Sequence, residues 1–271
     1  MCYNGIKEVI FVQTVFQSNG FRFDFKESPV KNNLLWESHC HGQFEMIGVV
    51  KGDITVNLEG KRYRLGEGQY ALIPPLTYHT VTANQQGTYR RVTVLFGREA
   101  IPQVLRRPLS VREDLFIGRS DRLTQLTEIC KEPNHTFYAP LANSIMVQLL
   151  YQSVREKKTD TSARIDDSLA RMLEYIDDHL CEKICLDDIA AHAACSKSSV
   201  SHLFEDKMKI TPKQYILQKR LALADALLQE GVPASETALR VGYENYSNFY
   251  RIYRKHFGTP PSKKTIPPTE E

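Results

Sequence analysis

Two stretches decide the fold: Ser196-Lys197-Ser198-Ser199-Val200-Ser201-His202-Leu203-Phe204 and Asn245-Tyr246-Ser247-Asn248-Phe249-Tyr250-Arg251-Ile252-Tyr253. Each opens on a side chain that can cap a helix by accepting a hydrogen bond from a free backbone N–H. Each then carries an i, i+3, i+4 apolar stripe, Val200/Leu203/Phe204 in one and Phe249/Ile252/Tyr253 in the other. The likeness extends outward. Ala190, Val200, Phe204, Thr211 and Pro212 recur as Ala238, Phe249, Tyr253, Thr259 and Pro260 at offsets of 48 or 49 residues, so one unit occurs twice with a single-residue slip in a turn. In each unit a short helix (186–193, then 235–241) meets a turn at Ala194-Cys195 or Gly242-Tyr243. A second helix follows, 196–207 or 245–256. Helix, tight turn, helix is the plan in which the second helix enters a DNA major groove.

Subtracting the apolar stripes leaves the outward faces. On the first helix these are Ser198, Ser201 and His202 with Lys197 beside them; on the second, Tyr246, Ser247, Tyr250, Arg251 and Arg254. Hydroxyls bond to several base edges, whereas arginine makes a bidentate contact with guanine worth roughly 1–3 kcal/mol of discrimination. The second unit is therefore expected to be the better sequence reader. Lys197, Lys213, Lys219, Arg220, Arg254 and Lys255 suit phosphates. Charge agrees with this division: the chain is +3 overall, but a basic stretch over 197–264 follows directly on an acidic one over 164–196.

Residues 165–263 resemble the DNA-binding domain of AraC/XylS-type transcription regulators. The matching runs are Leu186-Asp187-Asp188-Ile189-Ala190, Ser196-Lys197-Ser198-Ser199, Thr211-Pro212-Lys213-Gln214-Tyr215-Ile216, Arg220-Leu221-Ala222-Leu223-Ala224, Val241 to Phe249, and Phe257-Gly258-Thr259-Pro260-Pro261-Ser262. The resemblance implies two helix-turn-helix units joined by a long helix at about Pro212–Gln229, each reading one major-groove segment. By position it carries base reading onto Ser198, Ser201, His202, Ser247, Tyr250 and Arg251. Lys209 departs from the pattern, standing where the family usually has glycine before the Thr-Pro turn, which predicts a strained or reshaped turn.

The N-terminal half has a different period. Ile54, Val56 and Leu58 alternate with polar neighbours, the mark of a strand with one buried face. Lys51-Gly52-Asp53 and Gly60-Lys61 are acceptable hairpin turns around it. Tyr63 and Leu65, then Tyr70 and Leu72, then Val92, Val94 and Phe96 add further short strands, which predicts an all-β sandwich or barrel over 1–120. Helical spacing takes over in 121–158, where Leu141, Ile145, Leu149 and Leu150 recur in a helix expected over 140–158. Val147, Leu150 and Tyr151 widen its stripe enough to suggest a seam between two chains as well as a core. Residues 159–164 are polar and aperiodic, a linker, and 264–271 form a polar tail.

Within the β domain, His39-Cys40-His41, Glu45 and Gly52 resemble the first cupin motif, and Gly68, Pro74 and His79 resemble most of the second. Leu76 and Ala83 replace its usual glycine and asparagine. The resemblance implies a double-stranded β-barrel. Strand alternation would place His39 and His41 on one face with Cys40 opposite. In metal-dependent cupins His39, His41, Glu45 and His79 would be ligands suited to Zn, Fe, Ni or Mn. In regulators of this architecture the same polar set more often meets a small organic effector, so no cofactor is required and a metal is not the favoured reading. Trp36, Tyr63, Tyr70 and Tyr78 are aromatic candidates for the pocket wall.

Six cysteines in 271 residues do not suggest a disulfide scaffold, and buried free thiols are expected. The N-terminus has no signal-peptide layout, and no apolar run approaches a membrane span. Together these features predict a two-domain α+β chain: an N-terminal cupin-like barrel that senses a small molecule and a C-terminal all-α domain that binds operator DNA. The expected protein is cytoplasmic and homodimeric, meets RNA polymerase, and is not an enzyme. The competing class is a metal-dependent cupin enzyme with an accessory binding module, supported by the His/Glu set alone.

Overall fold

A computed structural model describes residues 12–30, 39–84, 87–110, 115–156 and 166–262. Trp36, the linker and the polar tail lie outside them. The described N-terminal half contains strands β1 (Val12–Ser18), β2 (Phe21–Val30), β3 (Phe44–Lys51), β4 (Ile54–Leu58), β5 (Lys61–Leu65), β6 (Gln69–Ile73), β7 (His79–Ala83), β8 (Gly87–Phe96) and β9 (Phe116–Arg119). They form two antiparallel sheets, a larger one ordered β1-β2-β8-β3-β6-β9 and a smaller one ordered β5-β4-β7. The turn between β4 and β5 is two residues long, and both Glu59 (φ 47°) and Gly60 (φ 85°) take the left-handed backbone that such hairpins demand.

Alternation along the strands builds two cores on opposite faces of the larger sheet. Ile47, Val49, Ala71 and Ile73 meet Ile54, Val56, Leu58, Tyr63, Leu65 and Val81 between the sheets. Phe44, Met46, Tyr70, Leu72, Val92, Val94 and Phe96 face the other way. Helices α1 (Gln103–Ser110), α2 (Arg122–Lys131) and α3 (His135–Arg155) cover that second face, with Leu105, Leu126, Ile145 and Leu149 in the same cluster. The segment from 121 onward is thus built onto the barrel domain. Helix α3 starts earlier than the proline signal predicts: Asn134 accepts a hydrogen bond from the Phe137 N–H, and Pro140 sits in the second turn, where it forfeits one internal bond.

The C-terminal domain comprises α4 (Asp167–Asp178), α5 (Leu186–His192), α6 (Lys197–Leu203), α7 (Pro212–Gln229), α8 (Ala234–Arg240) and α9 (Tyr246–Phe257). Helix α7 begins at a capping box, with Thr211 and Gln214 satisfying each other's backbone N–H groups. It joins two clusters. Leu169, Ile176, Ile189, Val200, Phe204, Tyr215 and Ala222 pack around the first unit, and Leu221, Leu228, Ala238, Val241, Phe249 and Tyr253 around the second.

The thiols divide differently from the expectation. Cys40 and Cys130 are buried, and burial pushes each thiol up to about 12. Cys181 and Cys185 are exposed. Cys185 precedes α5, where its backbone N–H and its thiol both reach Asp188 Oδ2, at 3.1 and 2.8 Å.

Candidate functional site

The two helical units repeat in their backbones as in their sequences. Ala194 (φ 51°) and Gly242 (φ 81°) occupy the same left-handed position in the turn. A Cβ at Gly242 would stand 2.5 Å from the Cys181 carbonyl oxygen, so the second unit needs glycine there. Ser196 accepts from the Ser199 N–H and Asn245 from the Asn248 N–H, both at 3.1 Å, fixing where α6 and α9 begin. Helix α6 is shorter than predicted. After Leu203 the chain winds as a wider turn, Phe204–Met208, that buries both of its end residues and closes at Lys209 with φ 60°. Lys209 thus holds the left-handed conformation its glycine-like position implied.

Ser198, Ser201, His202, Tyr246, Ser247 and Arg251 are exposed on these two helices, and Tyr250 is half-buried beside Tyr246. Arg251 rests on Asn248 Oδ1 at 3.1 Å, on the outward face of α9. Lys197, Lys213, Arg254 and Lys255 are exposed as well, with Lys197 paired to Asp187 at 2.8 Å.

Lys219 and Arg220 are placed differently, and the phosphate role assigned to them is corrected. Lys219 is 5% exposed. Its Nζ lies 2.8 Å from Asp177 Oδ1 and 3.2 Å from Glu59 Oε1, the latter at the tip of the β4–β5 hairpin. Burial works to discharge the amine, but the two carboxylates outweigh it and hold its pKa above that of a free lysine. The Tyr215 hydroxyl donates to the same Glu59 oxygen at 3.0 Å. Arg220 donates to the carbonyls of Leu180 (2.7 Å), Glu182 and Gly242 (3.5 Å), which ties the turn of the second unit to the loop before α5. A guanidinium engaged with three backbone carbonyls is a structural tie.

The second constellation sits at one end of the barrel. Phe44 and Met46 face the helices, so Glu45 between them points to the opposite side of β3. His39 and His79 are joined by two backbone hydrogen bonds of 3.1 and 3.0 Å. This draws together the Nε2 atoms of His39, His41 and His79 at 3.5, 2.8 and 3.0 Å from Glu45 Oε2. The four donor atoms all lie within 4.8 Å of one another. Burial would raise the Glu45 carboxyl, but the surrounding imidazoles hold it well below the usual carboxylate range; burial lowers His79 against the pull of Glu45. Leu76, in the glycine position of the second motif, takes φ 59°.

Of the three aromatic candidates among the described residues, Tyr63 faces the space between the sheets. Tyr70 is on the other side of its strand and donates to the Leu149 carbonyl of α3 at 3.2 Å. Tyr78 packs into the C-terminal domain. Both assignments to the pocket wall are therefore corrected, and strand parity is the reason. What sequence reasoning missed was Glu59, Asp177 and Gly42, which meet α4 or α7 only through tertiary contact.

Two capped helices with polar outer faces, held in tandem by one long helix and carried beside a β-barrel, define a DNA-binding protein with an attached ligand-binding module. Family models agree on both halves: one described as a helix-turn-helix domain matches residues 189–264, and one described as an AraC-like ligand binding domain matches 32–157. The chain belongs to the AraC/XylS-type DNA-binding transcription regulators. It is similar to the uncharacterized HTH-type transcriptional regulator YdiP of Escherichia coli K12, 24% identical over 96% of this chain and 90% of that protein. It is also similar to the probable transcriptional regulator LumQ of Photobacterium leiognathi, 37% identical over 33% of this chain and only 36% of that protein. Among solved structures, unsaturated fatty acid bound ToxT of Vibrio cholerae aligns over 91% of this chain and 95% of its own at 11% identity, with a TM-score of 0.42. Among the described residues no helix is long and apolar enough to cross a membrane.

Proposed function

We propose that the protein is an effector-responsive regulator that reads a two-part operator through α6 and α9. Ser198, Ser201, His202, Tyr246, Ser247, Tyr250 and Arg251 would meet base edges, and Lys197, Lys213, Arg254 and Lys255 the phosphates. The observation that carries the reading is the exposure of both helix faces on units tied together by α7 and Arg220, which holds two probes at a set spacing. An effector taken up by the barrel would act by binding one arrangement of the two domains better than another. The relatives are regulators, which favours a sensing role for the barrel over a catalytic one.

The protein acts in the cytoplasm, where its operator and RNA polymerase are, and as a homodimer. Support for the dimer comes from α3, where Phe137 (73% exposed), Leu141 and Tyr151 leave an apolar stripe uncovered. Selection from randomised duplexes with the full chain tests the reading. The expected winner holds two elements about one helical turn, roughly 10 base pairs, apart. A pool with no enriched sequence would overturn it.

A further inference from the structure

The two helical units border a cleft of about 910 Å³. Clefts of roughly 300–1,000 Å³, mostly apolar with a few polar groups, are the ones that hold small organic molecules. Both units supply its wall. Leu186 and Ile189 come from α5 in the first, Leu239 and Ile252 from α8 and α9 in the second, and Ile216 and Leu217 from α7 between them. Leu239 is 67% exposed and Leu186 38%, one from the leading helix of each unit. A single surface leucine needs no explanation, but two on the wall of one concave site form an apolar patch without a cover.

The cleft is preformed. Arg220 lines it and donates to the Leu180, Glu182 and Gly242 carbonyls, which fixes the loop before α5 and the turn before α9. Gly242 lies so near the Cys181 carbonyl oxygen that a Cβ there would stand 2.5 Å from it. Closing the walls over Leu186 and Leu239 would disrupt these contacts. A site that is open before its occupant arrives costs least to fill.

Charge and hydrogen-bonding capacity narrow the class of occupant. Lys183 and Lys213, both exposed, are balanced by exposed Glu182 and Glu244, and the Arg220 guanidinium is already engaged, so the lining favours a molecule of no net charge. Asn245 and Asn248 line the cleft as well. The Asn245 side-chain oxygen accepts from the Asn248 N–H, and the Asn248 oxygen accepts from Arg251. What these two offer an occupant is the amide N–H donor, whose complement is a carbonyl acceptor.

The cleft also touches the DNA-reading surface. Ser201 of α6 is both a base-reading candidate and a wall residue, and Asn248 of α9 stands between Ser247 and Arg251 in sequence. An occupant in contact with both helices and a duplex seated on both therefore claim the same ground.

We propose that this cleft binds one uncharged, largely apolar molecule bearing a carbonyl acceptor, and that the occupant competes with operator DNA. The site lies in the reader and is separate from the barrel. Its effect on DNA, though not its occupancy, rests on the base-reading assignment of α6 and α9.

The probe is Prodan, an uncharged naphthyl ketone whose fluorescence shifts when it leaves water. Titrated into the full chain, it should show a saturable equivalent that Leu239→Lys weakens by roughly tenfold or more. The variant should keep the wild-type circular dichroism, because Leu239 is mostly exposed. Cys181 and Cys185, exposed in the same wall, report occupancy. Their alkylation by iodoacetamide, followed by peptide mass mapping, should slow with Prodan bound, whereas Cys195, outside the cleft, should keep its rate. Anilinonaphthalene sulfonate, similar in size but anionic, should not displace the ketone. Saturating Prodan should weaken binding to a selected operator by roughly tenfold, and by reciprocity the operator should weaken Prodan by the same factor.

No saturable binding, binding that Leu239→Lys leaves unchanged, or thiols that stay unprotected would overturn the site. Thiols shielded by the duplex but not by Prodan would give the cleft to DNA instead. Equal uptake of the sulfonate would refute the class of occupant, and a filled cleft with unaltered operator affinity would refute the competition. An operator recovered from the duplex selection leaves the regulator reading standing in every one of these cases, so its failure is distinguishable from theirs.

Discussion

Replacing Lys219 with methionine removes a cation from the seam while keeping most of the stem that packs beside the Tyr215 ring, 5.5 Å from Nζ to centroid. Removing one partner of a fully buried ion pair costs about 3–5 kcal/mol, because the other charge is stranded. Here the stranded carboxylates are not fully buried: the Glu59 side chain is 25% exposed and that of Asp177 44%. Both can recover some water, so about 2–3 kcal/mol is expected. With a urea dependence of about 2 kcal/mol per molar, the helical transition followed by circular dichroism should move down by about 1 M. Affinity for an arbitrary duplex, in contrast, should keep its dependence on salt, since no phosphate contact is lost. An unchanged urea midpoint together with a salt slope reduced by about one would refute the placement of Lys219 and return it to the DNA surface.

Three further substitutions probe other parts of the structure. Arg251→Ala should flatten the preference at one base step, a loss of about 1–3 kcal/mol of discrimination, and leave thermal stability alone; selection profiles of the two proteins check it. Lys209→Gly should raise the melting temperature by a few degrees, because about 1 kcal/mol of left-handed strain is relieved at φ 60°. Gly42→Ala should lower stability by about 1–3 kcal/mol through the clash with Ala222 and Ala226, and an unaltered melting temperature would mean that α7 does not sit against that residue.

The C-terminal architecture was readable because its information is local. Caps, stripes and turn residues recur within each unit, and α7 runs from Pro212 to Gln229 as its Thr-Pro start implied. Most of the barrel strands from Ile54 to Phe96 were readable for the same reason, since alternation is a nearest-neighbour property. The cluster was legible as a set of residue types. Its ring orientations were not, because they depend on the Gln43 and Thr77 carbonyls. Lys219 and Arg220 were misplaced because a basic residue between apolar ones on a helix reads the same whether it meets solvent, a carboxylate from a distant hairpin or a carbonyl across a turn. Strand parity could have separated Tyr70 and Tyr78 from the inner wall, since each stands next to a residue of the opposite face.

From Tyr215 to Gln229 every residue of α7 is buried or half-buried, because the helix is shared by two helical units and a hairpin tip. Sensor and reader are therefore not interchangeable parts. A chimera that grafts this tail onto a foreign receptor would leave Tyr215 without its hairpin partner and Ala222 and Ala226 without Gly42 unless the donor brings counterparts of both. Engineers who want a portable reader should redesign that flank first, with polar residues of similar size, and only then exchange the receptor.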